Sequence, residues 1–118
     1  MSWNYALVFS YGLPVAGREA KALEAFADGQ VLFGKYAADG MCAEPEAFQK
    51  PFGGGMMIIR ADGYEKLFDM LETDDAKHLI EVCAFAVQDF EFTFMHTGTL
   101  LMEDMGLYAT VGTELGYL

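Results

Sequence analysis

The residue of this sequence that is best placed for acid–base chemistry is His96. It closes an alternating run whose side chains fall on one side of a predicted strand: Phe90, Phe92, Phe94 and His96. An imidazole at the end of a strand can act as a general base or bind a metal ion. Asp89 and Glu91 have the opposite parity, so the sequence places no orienting carboxylate beside the ring. The alternative is a core-edge histidine that is hydrogen-bonded to the backbone, and we favour this interpretation.

Four aromatic residues and one arginine are candidates for ligand binding: Trp3, Tyr5, Tyr11, Tyr36 and Arg60. The aromatic side chains could line an apolar pocket between a sheet and its helices, although aromatic rows in strands more often form plain core. Arg60 could hold a substrate carboxylate with its planar guanidinium. An ion pair between this arginine and one of the many acidic residues is the interpretation that we favour.

Three further features are not expected to carry chemistry. His78 lies off the apolar stripe of its predicted helix, so it belongs to a solvated face. The triplet Gly53-Gly54-Gly55 lacks the lysine and the serine or threonine of a phosphate-binding loop, and it precedes a strand. Cys42 lies near acidic residues whose charge disfavours its thiolate. We expect no metal site.

The composition describes a single acidic domain. The 118 residues are 53% hydrophobic and include 18 acidic and 7 basic side chains, which gives a net charge of −11. Nucleic acid and anionic membranes are bound mainly through lysine and arginine, so we expect neither as a partner. The two cysteines form no CxxC motif, no apolar run is long enough to span a bilayer, and we expect no signal peptide. These features predict a cytoplasmic protein with reduced thiols.

Hydrophobic periodicity predicts four strands and two helical regions. The strands are predicted at residues 3–11, 30–38, 56–61 and 85–97, and the helical regions at 17–27 and 62–83, the second with a break near 73–75. Gly29 is expected to end the first helical region, and Asp62 to cap the second with Glu65 as its partner in a capping box. Residues 41–55 are predicted to be an irregular loop, and residues 99–105 a short helix.

This order of elements predicts a ferredoxin-like α+β fold, βαββαβ, with a four-stranded antiparallel sheet and both helical regions on one face. The first and third strands are central in that plan, and both have apolar residues on two sides. The helices are too few to cover both faces of the sheet. The free face is therefore predicted to pack on the same face of a second copy, which makes a homodimer.

One segment of the sequence resembles a known group of proteins. Residues 54–92 carry a glycine-led strand, a helix that starts near Asp62, an acidic break, a second short helix and a last strand: GGMMIIRADGYEKLFDMLETDDAKHLIEVCAFAVQDFEF. Within residues 3–97 the chain resembles the dimeric α+β barrel superfamily. Its members include antibiotic-biosynthesis monooxygenases, muconolactone isomerases, YCII-related proteins and stress-responsive barrel proteins. The resemblance implies two ferredoxin-like sheets that pack face to face.

The resemblance also implies a function. We expect the protein to bind a small apolar or aromatic compound and to act, through His96, as an oxygenase or isomerase that needs no cofactor. The alternative is a non-catalytic dimeric module with a structural or regulatory role. Residues 1–98 are expected to form the ferredoxin-like domain, and residues 99–118 a C-terminal extension that packs on the partner subunit.

Overall fold

Alternating apolar side chains form the sheet of this protein, and apolar stripes of helical period form its helices. The computed structural model describes residues 2–118. Its strands are β1 (Tyr5–Tyr11), β2 (Glu46–Gln49), β3 (Gly55–Ala61) and β4 (Glu91–His96). Its helices are α1 (Glu19–Ala38), α2 (Tyr64–Leu71), α3 (Asp74–Ala86) and α4 (Gly98–Glu114).

The four strands form one antiparallel sheet in the order β2-β3-β1-β4. β1 is paired on both sides, with Leu7 opposite Ile59 of β3 and Phe94 of β4. This order confirms that the first and third strands are central and that the last strand lies at an edge. With helices in both crossovers, it is the ferredoxin-like α+β fold that the sequence predicts.

One face of the sheet is covered by helices and holds the core. Leu7 and Ile59 lie at its centre, and neither has any exposed surface. Phe33 of α1 and Leu67 of α2 pack against them, and Leu79 of α3 adjoins the same cluster. This packing removes the large apolar side chains of the central strands from water, which is the main contribution to the stability of such a domain.

The opposite face of the sheet carries no buried helix anywhere in residues 2–118 and is called the open face here. Its outward apolar side chains are Ala6, Val8, Phe48, Met56, Ile58 and Met95. Met56 and Met95 are 38% and 48% exposed, whereas Val8 in the middle is shielded by its neighbours on both adjoining strands. The surface is thus an apolar centre with an exposed apolar rim, as the two-sided strand pattern predicts.

The predicted second strand at residues 30–38 is wrong, because these residues continue α1 to Ala38. Gly29 does not end the helix. It is buried against β3 and α3, where an added Cβ would lie 3.5 Å from Met57 Cε and 3.6 Å from Leu79 Cδ2. The buried residues Ala25, Gly29 and Phe33 recur at helical spacing. Their burial outweighs the local β-propensity of the sequence around Val31, since tertiary packing overrides propensity.

Three other boundaries differ from prediction. The actual second strand, β2, is a four-residue segment within the predicted loop at 41–55, and it is held only by its pairing with β3. β4 begins at Glu91 rather than at residue 85, because Phe85 and Ala86 belong to the last turn of α3. The C-terminal region is one helix of 17 residues, not a short helix at 99–105.

The predicted capping box at Asp62 is also wrong, whereas the predicted break near Thr73 is confirmed. Gly63 occupies the N-cap position of α2 without a side-chain hydrogen bond, and Asp62 instead pairs with Lys66 at 3.4 Å. At the break, Thr73 Oγ1 accepts a hydrogen bond from Ala76 N at 3.2 Å and so caps α3.

Thr73 also joins α3 to two other helices. Its hydroxyl donates to the Met70 carbonyl oxygen of α2 at 2.8 Å. The Tyr36 hydroxyl of α1 lies 2.7 Å from Thr73 Oγ1. A hydroxyl has one proton, which goes to Met70, so Tyr36 must be the donor of this third bond. One side chain therefore fixes the ends of α2 and α3 relative to α1.

We expect Thr73→Ala to lower the free energy of unfolding by about 1–2 kcal/mol, because it removes the helix cap and leaves the Tyr36 hydroxyl without its acceptor. Urea unfolding followed by circular dichroism measures this change. Thr73→Ser is the matched control, since it keeps the hydroxyl and should lose less than half as much. Equal losses in the two variants would contradict the assignment of the effect to hydrogen bonding.

Candidate functional site

A cavity of about 70 Å³ lies between the sheet and the pair α1 and α3. One water molecule takes up about 10–15 Å³ on this scale, so the cavity could hold roughly five waters. The wall is almost entirely apolar, formed by Phe9, Tyr11, Ala22, Ala25, Phe26, Gly29, Phe33, Met57, Ala76, Leu79, Ile80, Cys83, Val87 and Phe90. Cavities of this kind suit apolar molecules better than water, because they offer water few hydrogen bonds.

Small residues of both helices leave space for the cavity. Ala22, Ala25 and Gly29 of α1 and Ala76 of α3 line it and contribute little side-chain volume. The ring of Phe9 rises from the sheet as the floor, stacked 6.1 Å from the ring of Phe90. Lining residues at the outer edge are only partly buried, so the cavity opens to solvent between α1 and α3.

One end of the cavity is closed by the strand-like pairing of two connecting segments. Gly12 N donates to Gln88 O at 2.7 Å, and Val15 N donates to Ala86 O at 2.9 Å. The Arg18 guanidinium Nη1 then donates to Phe85 O at 2.6 Å. These bonds join the start of α1 to the end of α3, which holds the two cavity-lining helices in register.

The distinctive polar group of this cavity is the Tyr11 hydroxyl. The oxygen is shielded from solvent and has no hydrogen-bond partner among residues 2–118. An unpaired buried hydroxyl costs about 1–3 kcal/mol, so it is an unusual feature of a folded protein. Burial raises the pKa of Tyr11, and the negative charge that Cys83 carries when it is ionised raises this pKa further. The hydroxyl therefore keeps its proton and can donate a hydrogen bond to an acceptor that enters the cavity.

Cys83 is the second polar group of the wall, and burial raises its pKa. It therefore remains a thiol and acts as a small apolar neighbour of the tyrosine. The other cysteine, Cys42, is almost completely buried outside the cavity. Burial first and the Glu44 carboxylate second raise the pKa of Cys42 to about 11, which agrees with the expectation that it is no nucleophile.

His96 lies at the far end of the sheet from this cavity. It is opposite Tyr5 in the register of β1 and β4, whereas Tyr11 ends β1 six residues later. At about 3.3 Å per residue, Tyr5 and Tyr11 are roughly 20 Å apart. The His96 ring packs against Tyr5 at 5.5 Å and stacks on Tyr64 at 5.7 Å between ring centroids. Aromatic side chains thus cover part of the His96 ring, and 30% of the side chain stays exposed.

An orienting carboxylate for His96 comes from α4, where the sequence indicated none. Asp104 Oδ2 lies 2.6 Å from His96 Nδ1. The pair resembles the orienting half of a catalytic triad, but it stands at a packed ring cluster and not in the cavity. The role of His96 as a general base therefore stays a prediction, and its observed contact joins β4 to α4.

The remaining predicted ligand-binding residues are not brought together. Trp3 is half-buried ahead of β1. Tyr36 is on α1 and uses its hydroxyl on Thr73 at 2.7 Å. Arg60 projects from the open face, where its Nε is 3.3 Å from Glu46 Oε1 without hydrogen-bond alignment. This contact is the ion pair that the sequence favoured. Of the predicted set, only Tyr11 lines the cavity.

Of the cavity residues that the sequence did not single out, Phe33 lies in the part of α1 that was predicted to be a strand, and the others lie at positions typical of plain core. Phe26, Gly29 and Phe33 follow each other at three- and four-residue spacing. That spacing continues the helical stripe across Gly29 and is the signal that could have found them. The predicted exposure of His78 is confirmed.

Residues 2–118 contain neither a cluster of metal-ligating side chains nor a membrane-spanning helix. No three His, Cys, Asp or Glu side chains lie close enough together in this range to hold a metal ion. In the same range, none of the helices has the length and apolar character needed to cross a bilayer.

Comparison with known proteins shows the fold. Neither a model of a protein family nor a curated protein matches the sequence. Among solved structures, a protein from Shewanella oneidensis has 13% identity and a TM-score of 0.64, with 81% of this chain and 93% of that chain covered. A structure described as an antibiotic biosynthesis monooxygenase has 12% identity and a TM-score of 0.61, over 80% of this chain and 98% of that chain. A dimeric protein of unknown function with a ferredoxin-like fold, from Bacteroides fragilis, has 7% identity and a TM-score of 0.59, over 81% and 98%. At these identities the likeness establishes that the chain has the ferredoxin-like α+β fold of these proteins.

Proposed function

We propose that this protein binds a small apolar or aromatic compound with one hydrogen-bond acceptor in the cavity between the sheet and α1 and α3. The observation that carries the proposal is the buried Tyr11 hydroxyl, which stands unpartnered at an apolar cavity. A ligand carbonyl or hydroxyl oxygen would accept its proton and remove the cost of the unmade bond. The apolar wall would take up the rest of the ligand, which is the usual division of roles in a small-molecule site.

Within this proposal, the protein is an oxygenase or isomerase that needs no cofactor. The fold likeness to a structure described as an antibiotic biosynthesis monooxygenase supports this choice. The Tyr11 pKa is raised by burial, so its hydroxyl would act as a proton donor that polarises a bound carbonyl and not as a base. The hydroxyl oxygen itself is shielded from solvent, and the apolar wall around it would strengthen that interaction.

The alternative function is a non-catalytic dimeric module with a structural or regulatory role. It is favoured by the contacts of His96, whose ring packs on Tyr5 and Tyr64 and whose Nδ1 is paired with Asp104. Ligand binding at Tyr11 separates the two functions, because only the first requires the cavity.

Both functions are proposed for a homodimer that forms through the open face. The apolar centre at Val8 and Ile58, with Met56 and Met95 at the rim, is the kind of surface that marks a protein interface. One of the proteins with the same fold is described as dimeric. Two four-stranded sheets packed face to face would bury on the order of 1,600 Å², the size of a stable interface.

Tyr11→Phe tests the role of the hydroxyl. We expect it to weaken the binding of acetophenone by roughly 5- to 30-fold, the value of one hydrogen bond of about 1–2 kcal/mol, in isothermal titration calorimetry. α-Methylstyrene has the same shape without the oxygen and should bind both proteins equally. The proposal is contradicted if wild-type protein binds neither compound, or if the substitution affects both alike.

Gly29→Ala tests the cavity itself. The added methyl group meets Met57 and Leu79 at ordinary contact distances, so it should fit and take up cavity space. We expect at least a fivefold loss of α-methylstyrene affinity, together with a gain of about 1 kcal/mol in stability from helix propensity. Gly34→Ala on the same helix is the control, since its Cβ would meet nothing within 4 Å. It should give the same gain in stability and leave binding unchanged, and a matching loss of affinity there would argue against the cavity.

Ile58→Lys tests the dimer. The lysine would lie in the middle of the open face, opposite Glu46 of β2, which can pair with it in a monomer. We expect a folded monomer by light scattering and circular dichroism, because a charge in an apolar interface is left without solvent. Val31→Lys on the exposed side of α1, where Val31 is 65% exposed, should remain dimeric. A dimer of unchanged affinity in the Ile58→Lys variant would rule out this interface.

A further inference from the structure

The C-terminal helix α4 is a regular helix of 17 residues, yet it packs on almost nothing in its own chain. None of its residues is buried against the rest of residues 2–118. The molecule measures 53 × 32 × 23 Å with a radius of gyration of 16.6 Å, whereas a compact chain of this length has about 13.5 Å. An isolated helix of this length is marginal in water, so a lasting α4 needs a surface to pack on.

The end of α4 is closed by local hydrogen bonds. Gly116 has a φ of +79°, and Tyr117 N donates to Gly112 O at 2.8 Å while Gly116 N donates to Thr113 O at 3.1 Å. This pattern is a Schellman motif, which ends a helix at a defined residue. α4 is therefore a helix of fixed length, about 26 Å, and not a frayed tail.

The base of α4 is anchored to the sheet, so the helix leaves the domain in a fixed direction. Asn4 Nδ2 donates to Thr99 Oγ1 at 2.7 Å, and Thr97 N donates to Asn4 O at 2.9 Å. One turn further along, Asp104 contacts His96 Nδ1 at 2.6 Å. Beyond Asp104 the helix makes no side-chain hydrogen bond to another element within the described chain.

Most of the large apolar side chains of α4 share one side. At 100° per residue, six exposed ones fall within an arc of about 160° that also contains Asp104. They are Leu101, Met105, Leu107, Tyr108, Val111 and Leu115, with exposed fractions from 41% to 69%, whereas Met102, which is 70% exposed, lies outside the arc. The opposite side carries small and polar residues, among them Gly106, Thr110 and Glu114. We call the large-residue side the arm stripe.

We propose that α4 is an exchange arm whose arm stripe packs on a second copy of this chain, against the rim of its open face. This inference rests on the homodimer proposed above and adds a second interface to it. α4 follows directly from β4, whose Met95 lies on the open-face rim, so the arm begins where the sheet interface ends. Two reciprocal arms, each covered along half its circumference, bury roughly 1,600 Å² in total, the size of a standard stable interface.

Charge argues against two other occupants, nucleic acid and anionic membranes. The acidic residues of α4 are Glu103, Asp104 and Glu114, and the helix has no basic residue. Such an arm is repelled by nucleic acid and by anionic bilayers. Within the arm stripe, the carboxylate of Asp104 is already paired with His96. The rest of the stripe is apolar and matches the apolar rim of the open face of a second copy.

Photo-crosslinking between isotope-labelled copies tests the arm in the full-length protein. Tyr108 is replaced by p-benzoylphenylalanine in unlabelled protein, which is mixed with ¹⁵N-labelled wild-type protein, equilibrated and irradiated. We expect crosslinked peptides that join the unlabelled arm to labelled segments around Phe48, Met56 or Met95. The matched control places the same probe at Thr110, on the opposite side of the helix, and should give at least tenfold fewer crosslinks between copies.

Two results would overturn the arm. In the first, the probe at position 108 forms crosslinks only to residues of the chain that carries it. In the second, the probe forms no crosslinks at protein concentrations where light scattering shows a dimer. In either result a persistent dimer leaves the open-face interface intact, so failure of the arm is distinguished from failure of the homodimer. As a second measurement, Leu101→Gln combined with Tyr108→Gln should raise the dimer dissociation constant at least tenfold. Leu23→Gln on the exposed side of α1 should leave it unchanged.

Discussion

The structure depends on one constraint, which is that its buried helices cover only one face of a sheet whose central strands are apolar on both. On the covered face, Leu7 and Ile59 lose all contact with water and define the core. On the open face, Val8 is shielded only by its neighbours within the sheet, and the larger side chains around it stay exposed. Burial of apolar surface is the dominant stabilising term in folding, so a surface of this kind favours association. The proposed homodimer follows from this imbalance.

The same packing explains the cavity. α1 and α3 meet over the sheet through small residues, and Gly29 lets α1 approach Met57 closely. Large rings at Phe9 and Phe33 support the helices on either side of this contact, so the space between them is not filled. Well-packed cores rarely leave such space or an unpaired buried hydroxyl. That both occur together at Tyr11 is the reason to see a binding site there and not a packing defect.

The aromatic cluster at the other end of the sheet has a different character. Tyr5, Tyr64 and His96 pack ring against ring, and the Asp104 carboxylate completes the group from α4. A histidine that is stacked and paired in this way orients a neighbouring element. The two ends of β1 thus serve different purposes: Tyr11 faces a cavity, and Tyr5 supports the base of the C-terminal helix.

The sequence by itself determined the fold class, the central position of the first and third strands, the break at Thr73 and the two-sided apolar character of the sheet. These follow from local periodicity and composition, which act over a few residues. Tertiary structure alone decided that α1 continues through Gly29, that β2 forms at Glu46–Gln49, and that Asp104 meets His96. Each of these depends on contacts between residues far apart in the chain. A glycine that ends a helix and a glycine that lets a helix approach a sheet look the same in sequence. Of the predicted site residues, only Tyr11 lines the cavity. Tyr5 and His96 share its face of the sheet but lie at the other end, because parity assigns a side chain to a face and not to a position along the strand.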